Sequence, residues 1–270
     1  MADKLFEVKE QVVLVSGGSR GIGLAIAAGF ASRGASVVIS GRQEKSISSV
    51  ANDLSELGSP VKGIVCDVAE DNQVESLVEE VIQDYGRIDT LINVAGVNRR
   101  KPSLDVTADD FDFIMDINLR GAFLLSQSVG RHMIERARGS QINVASLNSD
   151  RPLKDVAPYA MSKAAMASMT RSLAMEWGPL GVRVNALAPG FILTDLTEQL
   201  WSDETMQHWG LANTPQRRLG KPEDMVGTAV FLASPAAEFL TGQVLFVDGG
   251  FTAGWEWPIP EGGGQNPSKD

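Results

Sequence analysis

A tyrosine and a lysine stand four residues apart in Tyr159-Ala160-Met161-Ser162-Lys163. On a helix that spacing puts both on one face, about 6 Å apart along the axis. A phenol beside an ammonium can give and take a proton at the oxygen of a carbonyl–alcohol pair. A free phenol has a pKa of about 10, too high for an efficient base at neutral pH, and a neighbouring positive charge moves it down. The same spacing also arises between ordinary surface or packing neighbours. The chemistry therefore needs a cofactor site and a polar partner for the phenol, and the surrounding elements must supply both.

The first such element is near the start of the chain. Val12 to Val15 is a short β-branched run of the kind a buried parallel strand shows. It leads into Ser16-Gly17-Gly18-Ser19-Arg20-Gly21-Ile22-Gly23, and an Ala-rich helical pattern follows from Leu24. Strand, glycine-rich turn and helix place backbone N–H groups and a helix N-terminus against a phosphate. Gly17 would allow the tight turn, Gly21 the close approach of backbone, and Gly23 the packing of helix on strand. The spacing is G-x-x-x-G-x-G rather than G-x-G-x-x-G. A glycine-rich turn without a ligand remains the alternative.

Two further strands, Ser36 to Ser40 and Val61 to Cys66, flank a helix over about Glu44 to Leu57, which completes a βαβαβ half-unit. An acidic residue ending the second strand would bind the adenosine ribose of NAD. Here the residues are Ser40-Gly41-Arg42, with no carboxylate. Arg42, helped by Arg20, can pair with a 2′-phosphate, which favours NADP(H) and leaves NAD(H) as the alternative. Both arginines could instead be merely solvated. Asp67 follows the third strand, where it can accept a hydrogen bond from an adenine amino group or serve as a turn residue.

The rest of the chain continues the alternation. A helix over Asp71 to Tyr85 precedes a fourth strand, Asp89 to Asn93, which opens into Val94-Ala95-Gly96. Small residues there suit a flat ligand passing close by. A helical tract runs from Ala108 to Ala137, interrupted by Asn118, with an acidic start and a basic end. Ser140 to Ala145 is a fifth strand ending at Ser146, and Pro158 opens the helix that carries Tyr159 and Lys163. Gly181 to Ala188 is a sixth strand closed by Pro189-Gly190. Residues 191–216 lack a clean period and read as an apolar lid with Leu193, Leu196, Trp201 and Trp209. A helix from Pro222 to Ala233 and a strand from Val244 to Val247 complete the pattern. The expected fold is α/β: a single-domain Rossmann fold over residues 1–254, with a doubly wound, seven-stranded parallel sheet and helices on both faces. A Pro/Gly-rich tail follows at 255–270. Ligands bind at the carboxyl ends of such strands, where Ser16, Ser40, Asp67, Asn93, Ser146 and Pro189 gather.

Composition narrows the function. With 24 basic and 34 acidic residues the net charge is −10, which argues against general nucleic-acid binding. His132 and His208 have no neighbours at metal-ligand spacing, so no metal is expected. No apolar run is long enough for a membrane span. A single cysteine, Cys66, and no signal-peptide pattern point to a cytoplasmic protein.

Taken in order, Gly17…Gly21-Ile22-Gly23, Asp67-Val68, Asn93-Val94-Ala95-Gly96, Asn118, Ser146, Tyr159-x-x-x-Lys163, Pro189-Gly190 and Asp248-Gly249-Gly250 resemble the short-chain dehydrogenase/reductase family over about residues 8–253. The resemblance implies that Tyr159 is the proton donor and acceptor and that Ser146 holds the substrate oxygen. It implies that Lys163 binds the nicotinamide ribose and lowers the tyrosine pKa, and that Asn118 holds a water in a relay to it. Ser146 is chosen over Ser149 because it ends the strand thirteen residues before the tyrosine. The implied cofactor contacts are Gly17, Ser19, Arg20, Gly21, Ile22, Gly23, Ser40, Arg42, Asp67, Val68, Asn93, Ala95, Gly96, Tyr159, Lys163, Pro189, Gly190, Ile192 and Thr194. Ser16 stands where the family usually has threonine, and Val94 replaces a second asparagine. The family also implies a homotetramer.

The expected substrate is a small ketone or its alcohol. Arg99-Arg100-Lys101, Arg151 and Lys154 gather at the functional edge and suit an anion, although they could be solvated loop charges. Pro158-Tyr159-Ala160, Thr214-Pro215 and Leu245 to Asp248 are similar to the gluconate 5-dehydrogenase-like branch, which implies a keto-sugar acid or polyol. The apolar lid suits a 3-oxoacyl thioester or another apolar ketone. A non-catalytic cofactor-binding regulator or scaffold is the alternative of another class.

Overall fold

The computed structural model describes residues 4–56, 58–195 and 197–255. Its sheet contains β1 (Val12–Ser16), β2 (Ser36–Gly41), β3 (Val61–Val65), β4 (Thr90–Asn93), β5 (Gly139–Val144), β6 (Val182–Pro189) and β7 (Val244–Val247). All pairings are parallel, in the order β3-β2-β1-β4-β5-β6-β7. β1 has β2 on one side and β4 on the other, so the strand order reverses there and a crevice opens at the carboxyl ends.

Side chains alternate between the two faces along each strand. Leu14, Val38 and Leu91 face one core with helices α3 (Asp71–Tyr85), α5 (Gly121–Glu135) and α6 (Ala157–Trp177). Val13, Val15, Ile39 and Leu187 face the other, with α1 (Gly21–Ala31), α2 (Glu44–Ser55) and α9 (Val226–Ala233). Burial on both faces explains why the central strands read as continuous apolar runs. α3 stops where Gly86 turns left-handed, at φ 72°.

Three elements differ from the sequence expectation. The tract from Ala108 to Ala137 is α4 (Ala108–Met115), a π turn (Asp116–Arg120), and then α5. The π turn surrounds Asn118, whose side chain is drawn to the β4 end rather than to solvent. The segment 191–216 contains two helices, α7 (Glu198–Trp201) and α8 (Glu204–Asn213). The helix expected from Pro222 begins with a 3-10 turn, Pro222–Met225, before α9. Strand ends shift by a residue or so. Leu57, Leu196 and the tail beyond Trp255, including Trp257, lie outside the described residues. No described helix is long and apolar enough to cross a membrane.

Candidate active site

The crevice begins at the β1–α1 turn. Gly17 has φ 73°, and a Cβ there would lie 2.8 Å from the Ala95 backbone nitrogen. The N–H groups of Gly17 and Gly18 both donate to the Ser40 carbonyl, at 2.8 and 3.2 Å, which fixes the turn against β2. A Cβ on Gly23 would be 2.1 Å from the Gly17 carbonyl oxygen, so only glycine lets α1 seat on the turn. No side chain caps the α1 N-terminus, which leaves its first N–H groups to a ligand.

A cavity of about 710 Å³ runs from this turn to Tyr159. Gly17, Ser19, Arg20, Gly21, Ile22 and Gly23 line one end with Arg42, Asp67 and Val68. Ala95, Gly96, Pro189, Gly190, Ile192 and Thr194 line the middle, and Ser146, Tyr159 and Lys163 the far end. Sequence reasoning missed Gln43 and Ser46 beside Arg42, Val97 and Ile117 beyond Gly96, and Asp195 and Thr197 beside Thr194. Position just after a strand end was the available signal for Gln43 and Val97.

Ser40 and Asn93 do not line the cavity. The sheet register aligns Ser40, Ser16, Asn93 and Asn143 in one row across β2, β1, β4 and β5. That row is still inside the sheet, so its side chains are buried beneath the helices. Asn93 donates to Ser126 Oγ and Asn143 Oδ1, both at 2.9 Å, as core cross-links. Ser40 contributes its backbone carbonyl to the glycine turn. The residues that follow this row along the chain, such as Gly17, Gly41 and Val94, are the ones that line the cavity.

The far end concentrates the proton-transfer groups. Tyr159 and Lys163 lie on one face of α6, with the ammonium 5.8 Å from the phenol ring centre. Lys163 is buried, and its Nζ donates to the Val144 carbonyl at 2.7 Å. Burial lowers its pKa to about 8. Burial raises the Tyr159 phenol, while the Ser146 hydroxyl and the Arg100 guanidinium pull it back down. The phenol nevertheless stays above its ordinary value because burial outweighs both groups, and the lowering expected from Lys163 is not among the influences on it. Ser146 accepts from the Asn148 backbone N–H at 3.1 Å, and this orients its hydroxyl.

Asn118 is buried below the site. Its Oδ1 accepts the Val97 N–H at 2.7 Å, and its Nδ2 donates to the Val97 carbonyl at 2.9 Å and to Ser162 Oγ at 3.1 Å. Ser162 in turn donates to the Tyr159 carbonyl at 2.7 Å. The carboxamide thus clamps the β4 loop to the helix of the tyrosine.

The basic edge is divided. Arg99 and Lys101 both pair with Asp110, at 2.9 and 2.5 Å, and Arg99 also lies over the Phe113 ring at 3.9 Å. Arg151 is 3.5 Å from Asp150. Among the described residues Arg100 and Lys154 make no ion pair. The lid aromatics are not among the residues lining the cavity. Phe191 meets Trp201, Trp209 and Phe251 edge-on at 5.1, 5.7 and 4.8 Å. The apolar face expected to greet a substrate is therefore largely spent on anchoring the lid.

A family model described as enoyl-(acyl carrier protein) reductase matches residues 17–252. Gluconate 5-dehydrogenase of Gluconobacter oxydans is 41% identical over 92% of this chain and 97% of its own. A 3-oxoacyl-[acyl-carrier-protein] reductase of Thermotoga maritima is 37% identical over 89% and 97%. The crystal structure of a gluconate 5-dehydrogenase from Burkholderia cenocepacia in complex with NADP and tartrate superposes with a TM-score of 0.91, at 38% identity and over 93% and 99% of the two chains. With the model and these relatives aligned over nearly all of its length, the chain belongs to the short-chain dehydrogenase/reductase family, whose members are oxidoreductases.

Proposed function

We propose that this protein is an NADP(H)-dependent oxidoreductase that interconverts a keto-sugar acid and its secondary alcohol. Arg100 carries the substrate class: no carboxylate of the described residues neutralises it, and its charge bears on the Tyr159 phenol. A substrate whose carbonyl lies at Tyr159 and whose carboxylate lies at Arg100 gains a charge-assisted partner. The gluconate 5-dehydrogenase relatives support the same reading. A 3-oxoacyl thioester is the second reading, supported by the Thermotoga relative.

The residues fit the cofactor. The glycine turn offers a cradle that a Cβ would fill, and Arg20 and Arg42 are exposed at its end without acidic partners among the described residues. They suit a 2′-phosphate, and Asp67 suits the adenine amino group. When bound, the nicotinamide gives or accepts the hydride. Ser146 holds the substrate oxygen. Tyr159 protonates that oxygen in reduction and deprotonates it in oxidation, and Lys163 holds the ribose. The Asn118 carboxamide is committed to Val97 and Ser162, so a relay water towards Lys163 falls to the Asn118 backbone carbonyl.

Residues 1–254 act as one catalytic unit in this reading, within a cytoplasmic homotetramer. An apolar groove of about 760 Å³ between α5 and α6, lined by Leu119, Phe123, Met169, Leu173 and Trp177, supports the assembly. Light scattering after gel filtration tests it. Steady-state kcat/KM for 5-keto-D-gluconate, a 3-oxoacyl thioester and neutral ketones, with NADPH and with NADH, tests the function. The keto acid with NADPH is expected to lead, and a leading thioester would overturn the substrate assignment.

A further inference from the structure

Arg100 is the middle of three consecutive basic residues, and its neighbours on both sides are held by one carboxylate. Asp110, in the first turn of α4, is buried. Its Oδ1 accepts from Arg99 Nη1 at 2.9 Å. Its Oδ2 accepts from Lys101 Nζ at 2.5 Å, from the Thr107 hydroxyl at 2.9 Å and from the Thr107 N–H at 3.2 Å. The Thr107 hydroxyl also accepts the Asp110 N–H at 3.1 Å, closing a capping box. On the far side of the loop, the Lys101 N–H donates to the Asp155 carbonyl at 2.9 Å, just ahead of α6.

Arg99 and Lys101 reach the same carboxylate, so both side chains leave one side of the loop. The residue between them, Arg100, has no such partner among the described residues, and its charge acts on the Tyr159 phenol. A helix cap alone needs one Asp110 oxygen and no cations. Two cations converging on that carboxylate do something more: they fix the backbone on either side of a third cation that is left without a partner. They also remove two competing positive charges, so an incoming anion meets a single guanidinium. We propose that Asp110 is a positioning residue for substrate recognition, which through Arg99 and Lys101 aims Arg100 at the carboxylate of an anionic substrate.

This inference rests on the keto-acid reading, and a double-mutant cycle separates the two. The probes are 5-keto-D-gluconate and a neutral ketone that the wild-type enzyme reduces. Asp110→Asn keeps the shape and the capping oxygen but weakens both ion pairs. It should raise KM for the keto acid roughly tenfold, equivalent to about 1.4 kcal/mol, with little change in kcat or in KM for the neutral ketone. In an Arg100→Ala background the same substitution should add nothing, because the group it aims is gone. Lys101→Met loosens the clamp from its exposed side and should reproduce the pattern if Asp110→Asn fails to fold. Arg100→Ala with unchanged keto-acid KM would overturn the keto-acid reading itself. Arg100→Ala effective, but Asp110→Asn and Lys101→Met either silent or additive with it, would overturn the positioning role alone.

Discussion

The two ends of the crevice are built from different materials. The phosphate end is made of backbone: φ 73° at Gly17, a 2.1 Å clearance above Gly23, and two N–H groups on one carbonyl. The substrate end is made of side chains drawn from distant positions, with Tyr159 and Lys163 from α6, Ser146 after β5, and the charge of Arg100 from the β4 loop. Backbone geometry leaves a local record, because only glycine tolerates it. Apart from the Tyr159–Lys163 spacing on α6, side-chain geometry leaves almost none, because the groups are brought together from positions far apart along the chain. The first end therefore constrains which cofactor is held, and the second which substrate.

Substitutions at each end should separate these roles. Tyr159→Phe removes the proton path and should lower kcat by roughly 10³-fold while fluorescence titration shows NADPH binding retained. Retained turnover would break the assignment of Tyr159 as the proton donor and acceptor. Gly23→Ala should lower kcat/KM by roughly 100-fold through a misplaced cofactor, with KM for NADPH rising more than KM for the ketone. Arg42→Asp should lower the NADPH-over-NADH ratio of kcat/KM roughly tenfold or more, and an unchanged ratio would remove Arg42 from the 2′-phosphate site.

Two smaller effects concern titration. Lys163 is held at about 8, below its ordinary 10.5. The unfolded chain therefore binds the extra proton between those values, and stability rises with pH across that window. Below it the full cost of the buried ammonium is present. Lys163→Met should abolish turnover yet raise the thermal midpoint at pH 7, and lose that advantage at pH 10. Arg100 lowers the Tyr159 pKa, so Arg100→Ala should move the acid limb of alcohol oxidation, the rise of rate with pH, to higher pH. Ketone reduction, which needs the protonated phenol, should persist further into the alkaline range. A limb that stays in place, or moves down, would show that the guanidinium does not act on the phenol.

The sequence made the strand order, the glycine turn and the Tyr159–Lys163 face legible, since period and local geometry encode them. It placed Ser40 and Asn93 at the ligand because it took the last residues of the strands as the cavity wall, whereas one residue separates that buried row from the wall. The π turn at Asn118 was legible only as an interruption, because its cause is a bond to Val97, 21 residues away. Trp201 and Trp209 were visible as apolar, but not their shared partner Phe191, nor Phe251, which packs on Phe191 and Trp209. The basic cluster read as one patch, and only the fold reveals that Asp110 neutralises two of its members.

The central position of β1 has a consequence for how the protein is made. The Val12 N–H is bonded to the Asp89 carboxylate, 77 residues later, at the edge where β4 joins β1. At a synthesis rate of about 5–20 residues per second, β1 waits several seconds on the ribosome with one apolar flank unpaired. The nucleotide crevice forms only between β1 and β4, so NADPH cannot template the early chain. The first third of the protein must depend on its own β1–β2–β3 pairing, or on chaperones, until β4 is synthesised.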